Sequence, residues 1–237
     1  SHEDPSIVVT PIDSTRFIGG AGIVAAHAAG LGATVKFITV IGDDDAGDFS
    51  REKLEEAGVK SNLLVDDSRP TTLKQRFRCD GKCLLRVNHL HQGAIPAVLQ
   101  KRLLSELEKI IEGLDVLVFS DFNYGCLPQA VVEQIIDLAK KHNVMMAADS
   151  QSSSQIGDIS RFHGMDLLTP TEREARISVR NHEDGLVVLA EALKEQSAAQ
   201  NILLKMGAEG LLIHSGNGKE EDWLTDRVKG LNSTPRD

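Results

Sequence analysis

Short apolar runs alternate with segments that carry an apolar stripe at helical spacing, and this alternation limits the fold more than any other feature of the chain. Val35–Val40, Val116–Phe119, Val144–Ala148, Leu167-Leu168 and Ile202–Lys205 read as buried strands, with two more near Ser61–Val65 and Gly210–His214. Between them Ala46–Ala57, Pro96–Ile111, Pro128–Lys141 and Leu186–Leu193 read as helices, the second with Leu99, Leu103, Leu107 and Ile110 on one face. Strands separated by helices pair in parallel and bury both faces of their sheet. The expected fold is therefore α/β, with a mostly parallel central sheet flanked by helices.

One stretch breaks the pattern. Thr72–Cys79 and Lys82–Asn88 flank Asp80-Gly81, the pair that a tight hairpin turn favours, and read as a small antiparallel flap. With 237 residues, the simplest organisation is one main domain, 1–237, carrying this flap. The net charge of −9 argues against a nucleic-acid partner, which needs a basic face. No apolar run approaches the roughly 18 residues of a membrane span. Three cysteines, Cys79, Cys83 and Cys126, form a sparse and odd set that suits a reducing cytoplasm. Cys79 and Cys83 read as hairpin residues, since no second Cys or His pair completes a metal site.

The polar residues gather where a site is expected. Gly19 and Gly20 open a segment rich in Ala and Gly, where backbone N–H groups can approach a ligand and the helix can pack close to its neighbours. In open α/β sheets ligands bind beyond the carboxyl ends of the strands. That rule picks out Ser120-Asp121, Asp149-Ser150-Gln151, Thr169–Glu174 and Lys205–Gly210. Carboxylates, a lysine and glycine turns in these places suit phosphoryl transfer, in which charge on the phosphates is held by cations and N–H donors. Lys74, Arg76 and Arg86 on the flap suit an anionic substrate group.

In order along the chain, these residues resemble the ribokinase-like (PfkB) carbohydrate kinases, and within them the heptose-7-phosphate kinase branch. Ser1–Pro5 looks like the opening of that branch, and Gly19-Gly20-Ala21 with Leu31-Gly32-Ala33 and Gly42-Asp43-Asp44 looks like the first family signature. Arg69–Arg76 and Leu84–Val87 fit the heptose branch, and Ser120-Asp121-Phe122 and Leu168-Thr169-Pro170 follow in the expected order. The resemblance implies a Rossmann-like ribokinase sandwich with a small β lid near 1–10 and 72–88, used for a homodimer. It also implies ATP at Asp149, Thr171, Glu174, Lys205, Gly207, Glu209 and Gly210, with Mg²⁺ organised by Glu174. A sugar or sugar phosphate would lie beneath the lid against Gly19, Gly20, Lys74, Arg86 and Asp121. The family's first strand is expected before Ser1, and its Gly-Ala-Gly-Asp, with the catalytic base, just after Asp237.

Four positions depart from the family. Ile23 stands where an Asn usually contacts the sugar, Tyr124 and Gln151 stand where the branch has lysines, and Thr171 replaces an Asn. The function expected is ATP-dependent phosphorylation of a sugar or sugar phosphate. The departures favour two alternatives: a non-catalytic sugar- or nucleotide-binding relative, and a kinase of a neutral acceptor such as a nucleoside.

Overall fold

The computed structural model describes residues 9–152, 157–216 and 222–231. The chain opens with α1 (Gly20–Gly30), β1 (Lys36–Ile41), α2 (Asp45–Glu56) and β2 (Lys60–Val65). A hairpin of β3 (Leu73–Cys79) and β4 (Lys82–His89) follows, then α3 (Ala97–Glu108), β5 (Val116–Asp121), α4 (Gln129–Lys141) and β6 (Met145–Ser150). The remainder is β7 (Leu167–Leu168), α5 (Glu172–Val179), α6 (Leu186–Ser197), β8 (Asn201–Lys205), β9 (Leu211–Ser215) and β10 (Leu224–Val228).

The main sheet has six strands in the order β10-β9-β8-β7-β6-β5. β5 to β8 are parallel, and β9 and β10 return antiparallel. The parallel strands therefore all end on one edge, at Asp121, Ser150, Leu168 and Lys205. Helices cover this sheet because their apolar spacing gives them one buried stripe. On α4 that stripe is Val131, Val132, Ile135, Ile136 and Ala139, all buried. The core they share includes Phe119, Met146, Leu168, Ile202 and Leu204.

β1 and β2 form a separate parallel pair, and β3 and β4 a separate antiparallel one. Among the described residues β1 is thus paired on one side only, as is β5. Val116 and Val118 on β5 are 46% and 54% exposed, high values for apolar strand residues in an α/β sheet.

The structure changes several sequence expectations. Ser120, Asp121, Asp149 and Ser150 belong to strands rather than to the turns after them. Thr171–Glu174 is not a polar turn but the start of α5, and β10 was not anticipated. α1 does not pack as closely as its composition implies: only Gly22 and Ala25 are buried, and Ile23 and Val24 are exposed. The lid strand expected near 1–10 falls mostly outside the described residues, and Val9 and Thr10 are not in a strand. Among the described residues no helix is long and apolar enough to cross a membrane.

The three cysteines are free, with Cys79 and Cys83 exposed. Burial pushes the Cys126 thiol up, against hydrogen bonds to Thr39 and Val40 that pull it down, and the thiolate is the reactive form. A thiol reagent at neutral pH is expected to label two cysteines quickly and Cys126 only on unfolding. Peptide mapping of the labelled sites checks this.

Candidate functional site

Two clusters sit side by side on the carboxyl edge of the sheet. In the first, Lys205 Nζ at the end of β8 donates to Asp149 Oδ1 at 2.7 Å, and the Thr169 hydroxyl donates to the same oxygen at 3.2 Å. The register explains the meeting: Ala148 lies opposite Leu168, Leu168 opposite Ile202, and Thr171 forms a bridge with Lys205. The Asp149 and Lys205 side chains are 34% and 36% exposed, so the pair is open to a ligand.

Beside it, Thr171 and Glu174 close the N-terminus of α5 as a reciprocal capping box. The Thr171 N–H donates to Glu174 Oε2 at 2.8 Å, and the Glu174 N–H donates to the Thr171 hydroxyl at 3.3 Å. Glu174 Oε1 accepts from the Ser152 N–H at 3.0 Å. Each oxygen of this buried carboxylate therefore already holds a backbone donor. No group of three or more His, Cys, Asp or Glu side chains is gathered for a metal among the described residues. Each Glu174 oxygen keeps a second lone pair beside its backbone donor. A magnesium ion carried by ATP and held by phosphates and water meets no conflict there.

The second cluster borders a cleft of about 2960 Å³ between β1, α1, β3 and β5. Gly19, Gly20, Lys74 and Asp121 all line it, as does Gln151. Asp121 is buried, and both its oxygens are engaged. Oδ1 accepts from the Asn123 N–H at 3.0 Å, while Oδ2 accepts from Arg161 Nη2 at 2.9 Å and the Ser150 hydroxyl at 3.3 Å. Burying this carboxylate is tolerated because a guanidinium neutralises it. Arg161 also lies over the Phe162 ring at 4.5 Å. The two clusters are joined where the Gln151 N–H donates to the Asp121 carbonyl at 2.9 Å.

Arg69 fastens the rim of this cleft. Its Nε pairs with the buried Asp66 at 2.7 Å, Nη1 donates to the Tyr124 carbonyl at 3.2 Å, and Nη2 to the Gly93 carbonyl at 3.1 Å. Next to it the Thr71 N–H donates to Asp44 Oδ2 at 2.8 Å, and the Gly42 N–H to the Thr71 hydroxyl at 2.8 Å. Burial alone would push the Asp44 carboxyl up, but hydrogen bonds from Thr71, Gly47 and Ala46 outweigh it and hold it below the usual range. The chain that enters the hairpin is thereby pinned at its base.

The predicted residues do not all converge. Arg86 is exposed and lies opposite Arg76 in the hairpin; Arg76 lines the cleft and Arg86 does not, because β3 is the inner strand. Glu209 is turned outward to Arg227 on β10 at 2.8 Å, both exposed. Gly207 and Gly210 take positive φ around a short turn, where the Met206 N–H donates to the Gly210 carbonyl at 2.9 Å. Sequence reasoning passed over Arg161 and Tyr124 as functional residues, and quoted Arg69 only as part of a motif.

Comparison with known proteins gives the family and the fold. The model of the pfkB family of carbohydrate kinases matches residues 2–228. The chain is 31% identical over 221 residues to the bifunctional protein HldE of Helicobacter hepaticus, covering 92% of this chain and 45% of that protein. It is 33% identical over 217 residues to HldE of Caulobacter vibrioides, covering 91% and 42%. The chain thus spans less than half the length of these curated relatives. Phosphofructokinase-2 from Escherichia coli in complex with fructose-6-phosphate superposes with a TM-score of 0.71 at 18% identity, over 92% of this chain and 70% of that one. Ribokinase from Giardia lamblia gives 0.70 at 18% identity, over 96% and 74%. Fold, motif order and family match agree: the chain belongs to the pfkB family of carbohydrate kinases.

Proposed function

We propose that this protein transfers the terminal phosphoryl group of ATP to a hydroxyl of a sugar or sugar phosphate, as a heptose-7-phosphate kinase does. The observation that carries the reading is the adjacency of the two clusters. An open Asp149–Lys205 pair stands one strand away from Asp121, at the rim of a cleft bordered by the hairpin. MgATP is placed along Thr171–Glu174 and Lys205–Gly210, and the acceptor beneath β3, near Gly19 and Gly20.

In this reading Lys205 leaves Asp149 for a phosphate oxygen, and Asp149 retains the Thr169 hydroxyl as partner. Glu174, whose oxygens also hold the N-terminus of α5, would help to hold the water shell of a nucleotide-bound magnesium. Asp121 positions the loop after β5 and takes no proton, because its oxygens already accept from Asn123, Ser150 and Arg161. The hairpin leaves Leu84 and Leu85 half exposed, and a second copy of the chain is the partner proposed for that face. An ATP-consuming reaction and unpaired cysteines fit a cytoplasmic setting.

An ADP-release assay over a panel of sugars, sugar phosphates and nucleosides tests the reading; a flat response to all of them sinks it. The Lys205→Met variant is expected to raise the KM for ATP about tenfold, the loss of one charge-assisted hydrogen bond. Its melting temperature should stay within about 2 °C, because a half-exposed pair contributes under ~1 kcal/mol. The commitment of Asp121 and Asp44 to structural bonds also suits a binding protein without turnover. Calorimetric binding of ATP and sugar with no ADP release would decide for that reading.

A further inference from the structure

Tyr124 is the only tyrosine of the chain. Its hydroxyl is buried and finds no hydrogen-bond partner among the described residues, whereas buried tyrosine hydroxyls ordinarily do. Its backbone is held firmly: the carbonyl accepts from Arg69, and the residues on either side, Asn123 and Gly125, take positive φ of 58° and 78°. From the lid strand β3, Lys74 Nζ stands 5.1 Å from the centre of the Tyr124 ring and 5.8 Å from that of Phe122. Phe122 in turn packs against Gly20, at the start of α1. Three elements meet here, and Lys74, Phe122, Tyr124 and Gly20 all line the cleft.

The chemistry of the cluster limits its ligand. An ammonium offers three donors and no acceptor, and a phenol can donate one more. Both rings are already taken up by the cation, whose electrostatic attraction to them fixes where it sits. Among the described residues no carboxylate pairs with Lys74. A neutral sugar hydroxyl placed there satisfies the phenol and leaves the ammonium without a counter-charge. An oxyanion satisfies both through short, charge-assisted bonds.

We infer that Tyr124 is a specificity-determining residue whose hydroxyl, together with Lys74, binds the phosphate oxygen of a phosphorylated sugar acceptor. The assignment rests on the kinase reading and narrows its substrate class, against a neutral acceptor.

The sole tyrosine makes the test direct. The whole protein is titrated with sedoheptulose 7-phosphate and fructose 6-phosphate, and with fructose and inorganic phosphate as controls. Tyrosine difference absorbance and calorimetry are read together, and ADP release is measured in parallel. The sugar phosphates are expected to perturb the tyrosine band and to bind at least tenfold more tightly than fructose. Tyr124→Phe should lose the band, weaken sugar-phosphate binding about tenfold, leave ATP binding unchanged and raise the melting temperature, because it removes an unsatisfied buried hydroxyl. Lys74→Met, a change on the hairpin rather than in the core, should abolish the preference for the phosphorylated sugar.

Unchanged sugar-phosphate affinity in Tyr124→Phe overturns the assignment, as does a parent protein that prefers fructose. If Tyr124→Phe does not fold, retained preference in Lys74→Met overturns it instead. ADP release without any response from Tyr124 overturns this inference and leaves the kinase reading standing. Absence of both binding and turnover overturns the two together.

Discussion

Arg69→Ala is expected to lower the melting temperature by about 10 °C, from a loss of roughly 3–5 kcal/mol. The Arg69 and Asp66 side chains are only 7% and 3% exposed, so alanine leaves a buried carboxylate without its counter-ion. It also frees two carbonyls, of Tyr124 and Gly93, that the guanidinium fork holds together. Arg69→Lys should recover less than half of the loss, because an ammonium cannot span three acceptors in one plane.

The pH dependence distinguishes this account from simple loss of packing. Burial alone would raise the Asp66 carboxyl, but bonds from Ser68 and then Arg69 outweigh it and hold it below its usual value. A depressed pKa contributes stability above the unfolded value of about 3.9 and loses it as the pH falls through the folded value. The gap between parent and Arg69→Ala should therefore be full at pH 7 and shrink below about pH 4. Thermal melts across that range check both the size and the sign. A gap that stays constant into acid would show that the ion pair is not its source.

Gly125→Ala is expected to be as damaging or worse, with a loss of roughly 4 kcal/mol or more and a low soluble yield. Gly125 takes φ +78°, and a Cβ there would fall on the carbonyl of Gly93, which is backbone and cannot swing aside. The close approach is real structure: the Ile95 N–H donates to the Gly125 carbonyl at 3.0 Å, tying the loop after β5 to the segment before α3. Gly81→Ala is the control, since Gly81 has almost the same φ, +76°, at the tip of the hairpin with open space around it. It should cost only the left-handed strain of an alanine, about 1–2 kcal/mol. Denaturant melts of the two variants separate crowding from backbone strain, and equal losses would remove the crowding argument.

The residues that the sequence made legible are those whose position follows from periodicity. Asp121, Asp149, Thr171 and Lys205 lie at one edge because β5 to β8 are parallel, and the apolar runs alone announce that. Glu174 was visible as a polar residue, but its place in a Thr171-x-x-Glu174 capping box was a local signal that went unread, and with it the start of α5. Arg161 could not be found this way. It lies in a single 3₁₀ turn with no periodic pattern, and its partners Gln129 and Asp121 are 32 and 40 positions away. The meeting of Lys74 with Tyr124 has the same cause, since it depends on how the hairpin folds back over the loop after β5. Whether Arg76 or Arg86 lines the cleft was not legible either, because sequence alone does not say which strand of a hairpin faces the body.

The pairing of β1 and β5 on one side only, among the described residues, has a consequence for what can dock between them. Among the described residues neither has a strand on its other side, and Val116 and Val118 of β5 stand exposed along the wall of the cleft. Such an edge is a template that does not discriminate: any extended apolar stretch, its own or a neighbour's, can be captured there by main-chain bonds alone. A strand laid between β1 and β5 would meet their main-chain groups, shield the two valines and join the β1–β2 pair to the six-stranded sheet.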